Sequence, residues 1–163
     1  MTARVTPFLL ALYEPDIPQN CGTMLRACAC LGVEAAIIEP AAFPVGDRHF
    51  RRAGMDYLDH VRIERHDSFG AFETWRRAEG RRLALLTTSG DTAIWDFAFR
   101  PGDILMVGRE SAGVPARVRE AADARLIVPL RAGLRSLNVA VAASMALGEA
   151  LRQARLHCAQ ETE

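Results

Sequence analysis

The chain has 163 residues, half of them apolar and a quarter charged, with 20 acidic side chains against 20 basic ones. That length and balance suit one globular domain over residues 1–163 with an ordinary buried core, and they exclude a protein held on nucleic acid chiefly by bulk positive charge. No apolar run approaches a membrane span, and Phe8–Leu12 is too short for a secretory leader, so the expected compartment is the cytoplasm.

Phe8–Tyr13 reads as a first buried strand, ended by Glu14-Pro15-Asp16-Ile17-Pro18. A helix follows from about Asn20 to Leu31, with Asn20 as candidate N-cap and Gly32 at the stop position. Ala35–Ile38 is a second strand, closed by Glu39-Pro40, and this β-α-β unit with short joins signals a parallel sheet. Ala41 to His60 is irregular, with Arg48, Arg51 and Arg52 gathered beside His49. Val61–Glu64 is a third strand, Ser68–Glu79 a helix ending at Gly80, and Arg82–Thr88 a strand around the apolar run Leu83–Leu86. After the turn Ser89-Gly90-Asp91, Thr92–Pro101 is a loop whose Ile94, Trp95, Phe97 and Phe99 read as core anchors rather than base-stacking platforms. Ile104–Val107 and Leu126–Val128 complete about six strands, with a helix over Pro115–Ala122 between them and a last helix from about Leu137 to Leu156. The class is α/β. Cys21, Cys28, Cys30 and Cys158 form no C-x-x-C pair and the histidines are scattered, so the thiols read as reduced and no metal site is expected.

The rest of the chain is organised around residues 104–156. Two buried strands there, expected side by side, run into the loops Gly108–Pro115 and Pro129–Ser136. Loops at the carboxyl edge of a parallel sheet form the crevice where open α/β folds bind ligands. Gly108 and Gly113 have the spacing of a Walker A loop, but Val114-Pro115 stand where Lys-Ser/Thr would follow. The chain contains no lysine, so a P-loop and Schiff-base chemistry both fail, and no G-x-G-x-x-G is present. In the last helix Ala140, Ser144 and Gly148 fall four apart, a row of small side chains that fits either packing within the chain or a partner helix.

Gly108-Arg109-Glu110-Ser111-Ala112-Gly113-Val114-Pro115, then Val128-Pro129-Leu130, then Ser136-Leu137-Asn138-Val139, resemble the second and third motifs of the SPOUT methyltransferases, the trefoil-knotted RNA 2'-O-methyltransferases. Ile17-Pro18-Gln19-Asn20-Cys21-Gly22-Thr23-Met24-Leu25-Arg26 resembles the first motif. Arg51-Arg52-Ala53-Gly54-Met55-Asp56-Tyr57 is similar to a segment of one subgroup, which methylates cytidine or uridine 34 of tRNA. The resemblance runs from about Leu9 to Gln153. It implies a SPOUT-type parallel sheet flanked by helices, a C-terminal trefoil knot, a homodimer and 2'-O-methylation of the wobble ribose in the tRNA anticodon stem-loop.

The implied methyl donor is S-adenosyl-L-methionine, which carries no phosphate and needs no cationic clamp. The resemblance places it against Leu86, Thr87 and Thr88, against Gly108, Glu110 and Gly113, and against Val128, Leu130 and Ser136. Arg26, Ser136 and Asn138 are the implied catalytic residues, and Asn20, Arg26, Arg51 and Arg52 the implied RNA contacts. Arginine is a poor base but a good planar clamp, so Arg26 is assigned orientation and electrostatic stabilisation. Asn20 and Asn138 also fit plain helix capping, and Arg51 and Arg52 a solvated helix face. Ala132-Gly133-Leu134 departs from the Pro-Asp-Ser frequent in the family, and Gly148 stands where this subgroup often has a larger aromatic. The alternatives are action on another tRNA or rRNA nucleotide, a non-catalytic RNA-binding domain of this fold, or a small-molecule α/β enzyme; the absent G-x-G-x-x-G counts against the last.

Overall fold

The computed structural model of the protein describes residues 8–44, 52 and 55–160. In chain order these form β1 (Leu9–Tyr13), α1 (Pro18–Leu31), β2 (Glu34–Ile38), a 3-10 helix (Met55–His60), β3 (Ile63–His66), α2 (Phe69–Ala78), β4 (Leu83–Leu86), β5 (Thr92–Ala93), β6 (Ile104–Val107), α3 (Ala116–Ala121), β7 (Ala124–Ile127) and α4 (Val139–Gln160). The strands make one seven-stranded sheet in the order β3-β2-β1-β6-β4-β7-β5. Every strand pairing in it is parallel.

The central strands explain why the sheet is parallel. Every residue of β1 and β6 is buried, as unbroken apolar runs require when helices cover both faces. Alternate side chains then feed two cores. Leu10, Leu12, Leu105 and Val107 pack with Met24 and Leu25 of α1 and with Ala143 and Leu147 of α4. Leu9, Tyr13, Leu83 and Met106 pack with Phe69 and Phe72 of α2 and with Val118 of α3. Burial also pushes the thiols of Cys21 and Cys28, both inside the first core, up to about 12. Cys21, Cys28 and Cys30 are free thiols.

Several boundaries differ from the sequence reading. Helix α1 begins at Pro18, with Ile17 in the cap position and no side-chain cap bond, so Asn20 lies in the first turn and is not the N-cap. Proline is at home there, because its missing N–H would have no helical partner. Gly32 stops the helix as expected, at φ 68°. Strand β3 sits two residues further on than Val61–Glu64, because buried His66 faces inward against the rings of Phe72 and Trp75, 5.3 and 5.0 Å away. A seventh strand, β5, lies inside the expected loop Thr92–Pro101 and pairs Thr92 with Leu126. Ile94 and Phe99 are core anchors, but Trp95 is 50% exposed. The largest correction concerns β6 and β7, which are not neighbours, since β4 runs between them. The loop after β4 therefore lies between those after β6 and β7 at the carboxyl edge. Among the described residues no helix is long and apolar enough to cross a membrane.

Candidate active site

The loops after β4, β6 and β7 enclose a cavity of about 590 Å³, within the size range of small-molecule sites. From β4 come Leu86 and Thr87, from β6 Gly108, Glu110 and Gly113, and from β7 Val128, Leu130 and Ser136. Every residue assigned to the cofactor from the sequence thus lines one cavity.

The β6 loop folds on itself. Arg109 and Gly113 exchange backbone hydrogen bonds of 3.2 and 2.8 Å, and Gly113 turns the chain at φ 60°. A Cβ on Gly108 would stand 2.9 Å from the backbone carbon of Gly113 and 3.0 Å from Cγ1 of Val114. Glycine is needed at 108 so that the loop can close; the crowding comes from the chain itself rather than from a ligand.

A polar network ties this loop to the first motif and to α4. The side-chain amide of Asn20 donates to Glu110 Oε2. The amide of Asn138 donates to Asn20 Oδ1 at 3.1 Å. Asn138 Oδ1 in turn accepts from the backbone N–H groups of Ala140 and Val141, at 2.8 and 3.3 Å, which caps α4. Asn138 therefore both caps its helix and fixes a loop. Asp16, which the sequence reading used only to end β1, accepts from the N–H groups of Glu110 and Ser111 and from the Ser111 hydroxyl. Burial raises its pKa, but those hydrogen bonds outweigh it and hold the carboxyl below its ordinary value. The signal that would have found Asp16 is its place: an acid in the loop after β1, at the same sheet edge as the cavity.

Arg26 stands elsewhere. It is exposed on α1, about 9 Å along the axis from Asn20 at 1.5 Å per residue, and its guanidinium lies 4.5 Å from the centroid of the Tyr57 ring. It is absent from the cavity lining. Arg52 is exposed, and Arg51 lies outside the described residues.

The cavity suits a nucleoside-type ligand. Leu86, Val107, Val128 and Leu130 give it apolar walls for a flat base, while the loop backbone supplies donors and acceptors. The sequence reading expected a pocket without a cationic clamp, but Arg109, Arg131 and Arg135 also line it. Arg109 is engaged by Glu14 at 3.5 Å and lies over the Tyr13 ring. Arg131 and Arg135 are exposed at the rim, where they suit a carboxylate or a phosphate. Among the described residues no group of three or more His, Cys, Asp or Glu side chains is placed to hold a metal ion.

Residues 7–148 match the model of the SpoU rRNA Methylase family. The chain belongs to that family. A tRNA (cytidine(34)-2'-O)-methyltransferase of Beijerinckia indica is 70% identical over 145 residues, covering 89% of this chain and 91% of the relative. A solved structure concerned with the 2-OH methylation of C/U34 on tRNA superposes with a TM-score of 0.85 at 39% identity, over 91% of this chain and 96% of that one. The SpoU methyltransferase AviRb of Streptomyces viridochromogenes, in complex with the cofactor AdoMet, superposes with a TM-score of 0.83 at 30% identity, over 93% of this chain and 62% of that one. The SpoU family assignment and these superpositions bear out the SPOUT-type fold that the motifs imply.

Proposed function

We propose that this chain methylates the ribose 2'-hydroxyl of nucleotide 34 in tRNA, a cytidine or a modified uridine, with S-adenosyl-L-methionine as donor. The observation that carries the reading is the 70% identity to a relative of that activity across nearly the whole length of both chains. The cavity built from Leu86, Gly108, Glu110, Val128 and Ser136 supports it.

Bound there, the donor supplies a methyl group activated by a sulfonium sulfur. The chain supplies position, which by itself can lower a barrier by several kcal/mol. The β4, β6 and β7 loops grip the donor, and the Asn20–Glu110–Asn138 network sets the wall beside it. Ser136 lies at the rim, where the ribose must approach. Arg26 clamps a substrate phosphate and stabilises charge. Arg51 and Arg52 meet the backbone of the anticodon stem-loop, and the work takes place in the cytoplasm with tRNA.

The reading includes a homodimer. Val141 and Met145 are 49% and 39% exposed on the outer face of α4, and Leu137 continues the stripe towards the cavity. A second copy covers such a stripe. Because Arg26 is outside its own cavity, the partner's cavity is the one it serves. The reading also includes a C-terminal trefoil knot, which the motif resemblance implies.

The test is methyl transfer from labelled S-adenosyl-L-methionine to bulk tRNA, with the product mapped by mass spectrometry. A 2'-O-methyl mark at nucleotide 34 is expected. A mark elsewhere, or none with folded enzyme and bound donor, overturns the assignment.

A further inference from the structure

We propose that Asp16 is a positioning residue that latches the β6 loop onto the start of α1, and so sets where Glu110 and the cavity wall stand during methyl transfer. The inference rests on the reading above for the reaction, though not for the latch.

Asp16 and the residues it holds are 94 and 95 positions apart in sequence. One carboxylate oxygen accepts from the Glu110 N–H at 3.0 Å. The other accepts from the Ser111 N–H at 3.1 Å and from the Ser111 hydroxyl. Two consecutive backbone N–H groups converging on one anion form a nest, an arrangement that fixes the local backbone. Bonds of this kind to an ionised acceptor are shorter and stronger than neutral ones. The hydroxyl contact adds a third donor, so the carboxylate fixes both the backbone and one side chain of the loop.

The consequence lies in what the latched residues do next. Glu110 presents its own carboxylate to Asn20, and Asn20 accepts from Asn138 at the head of α4. The loops after β1, β6 and β7 are thereby joined through polar contacts that meet the cavity wall at Glu110. Remove Asp16 and the Glu110 and Ser111 N–H groups turn to water, while the loop regains backbone freedom. Glu110 and Ser111 are exposed and Asp16 is half-buried, outside both hydrophobic cores, so the fold as a whole depends little on the latch. The loss therefore falls on geometry and rate.

The latch is ionised at working pH. A depressed carboxyl contributes fully above its ordinary pKa and is lost only as pH falls through the depressed value, so it is constant across the neutral range. Asparagine at 16 keeps the shape but turns one acceptor into a donor that faces N–H groups. Glutamate keeps the charge.

The experiment compares wild type, Asp16→Asn, Asp16→Glu and Ser111→Ala. In Asp16→Asn, kcat is expected to fall ~10- to 100-fold, the scale of a reacting group displaced by up to an ångström. The melting temperature should move by no more than about 2 °C, and amide hydrogen exchange at Glu110 and Ser111 should speed up. Asp16→Glu should recover part of the rate, Ser111→Ala should fall between, and the Asp16→Asn/Ser111→Ala double variant should be no worse than Asp16→Asn. Unchanged exchange, unchanged kcat, or a rate lost only in step with melting temperature and not recovered by glutamate overturns the proposal. A wild-type chain that binds S-adenosyl-L-methionine yet does not methylate tRNA sinks the functional reading. The exchange data then judge the latch alone: faster exchange in Asp16→Asn upholds it and unchanged exchange removes it.

Discussion

Asn20 and Arg26 share one helix and do different work. Asn20 is in the first turn because Pro18 starts α1, and from there its amide reaches the β6 loop. Arg26 lies further along the helix, with its guanidinium over the Tyr57 ring. A residue that does not line the cavity should not hold the donor. Arg26→Ala should therefore leave affinity for S-adenosyl-L-methionine nearly unchanged in calorimetry. Single-turnover methyl transfer should drop at least ~100-fold, the scale of losing a well-placed electrostatic group. Normal turnover would return Arg26 to an ordinary surface role.

At the scale of elements, the β6 loop carries the cavity wall, and its shape depends on two glycines. Gly113 supplies the positive φ, and Gly108 supplies the space into which Gly113 and Val114 pack. A valine at 108 cannot be accommodated by rotating a side chain, because the nearest atom is backbone. The loop must shift, at a cost of about 1–3 kcal/mol, and the shift opens the Arg109–Gly113 bridge beside the cavity. Gly108→Val is expected to weaken S-adenosyl-L-methionine binding by ~10- to 100-fold with the circular-dichroism spectrum retained. Unchanged affinity would mean that the loop relaxes without touching the site.

For the molecule as a whole, the proposed dimer rests on the outer face of α4. The small-residue row read from the sequence splits in the fold. Ala140 is 4% exposed and packs in the chain's own core, Ser144 is half-buried and donates to Ala140 O at 2.7 Å, and Gly148 alone is exposed. Among the described residues of that helix, Val141 and Met145 are the exposed large apolar ones. Met145→Arg, which disturbs no core contact, should place a charge in the interface between two copies. Sedimentation should then report a folded monomer, and activity should fall more than ~10-fold, since an unpaired charge desolvated in an interface costs several kcal/mol. A monomer that keeps full activity would sink both the dimer and the shared site.

The sequence by itself determined whatever depends on residues near one another along the chain. The apolar runs of β1, β2, β4 and β6 required burial on both faces. Gly32 and Ser68 marked a helix end and a helix start, and Ser68 Oγ does accept from Ala71 N–H at 3.1 Å. The motif loops were legible because glycine, proline and asparagine are demanded by local backbone geometry. Tertiary structure decided the rest. Nothing local in Thr92–Ala93 makes a strand; it becomes one because β7 offers an open edge. The insertion of β4 between β6 and β7 follows from packing choices among similar apolar runs, which no local pattern encodes. Asp16 looked like a turn residue because its partners, Glu110 and Ser111, come close only when β1 and β6 pair in register, Leu9 opposite Ile104. Hydrogen bonds across such separations are products of the sheet, and the sheet forms from the whole chain at once.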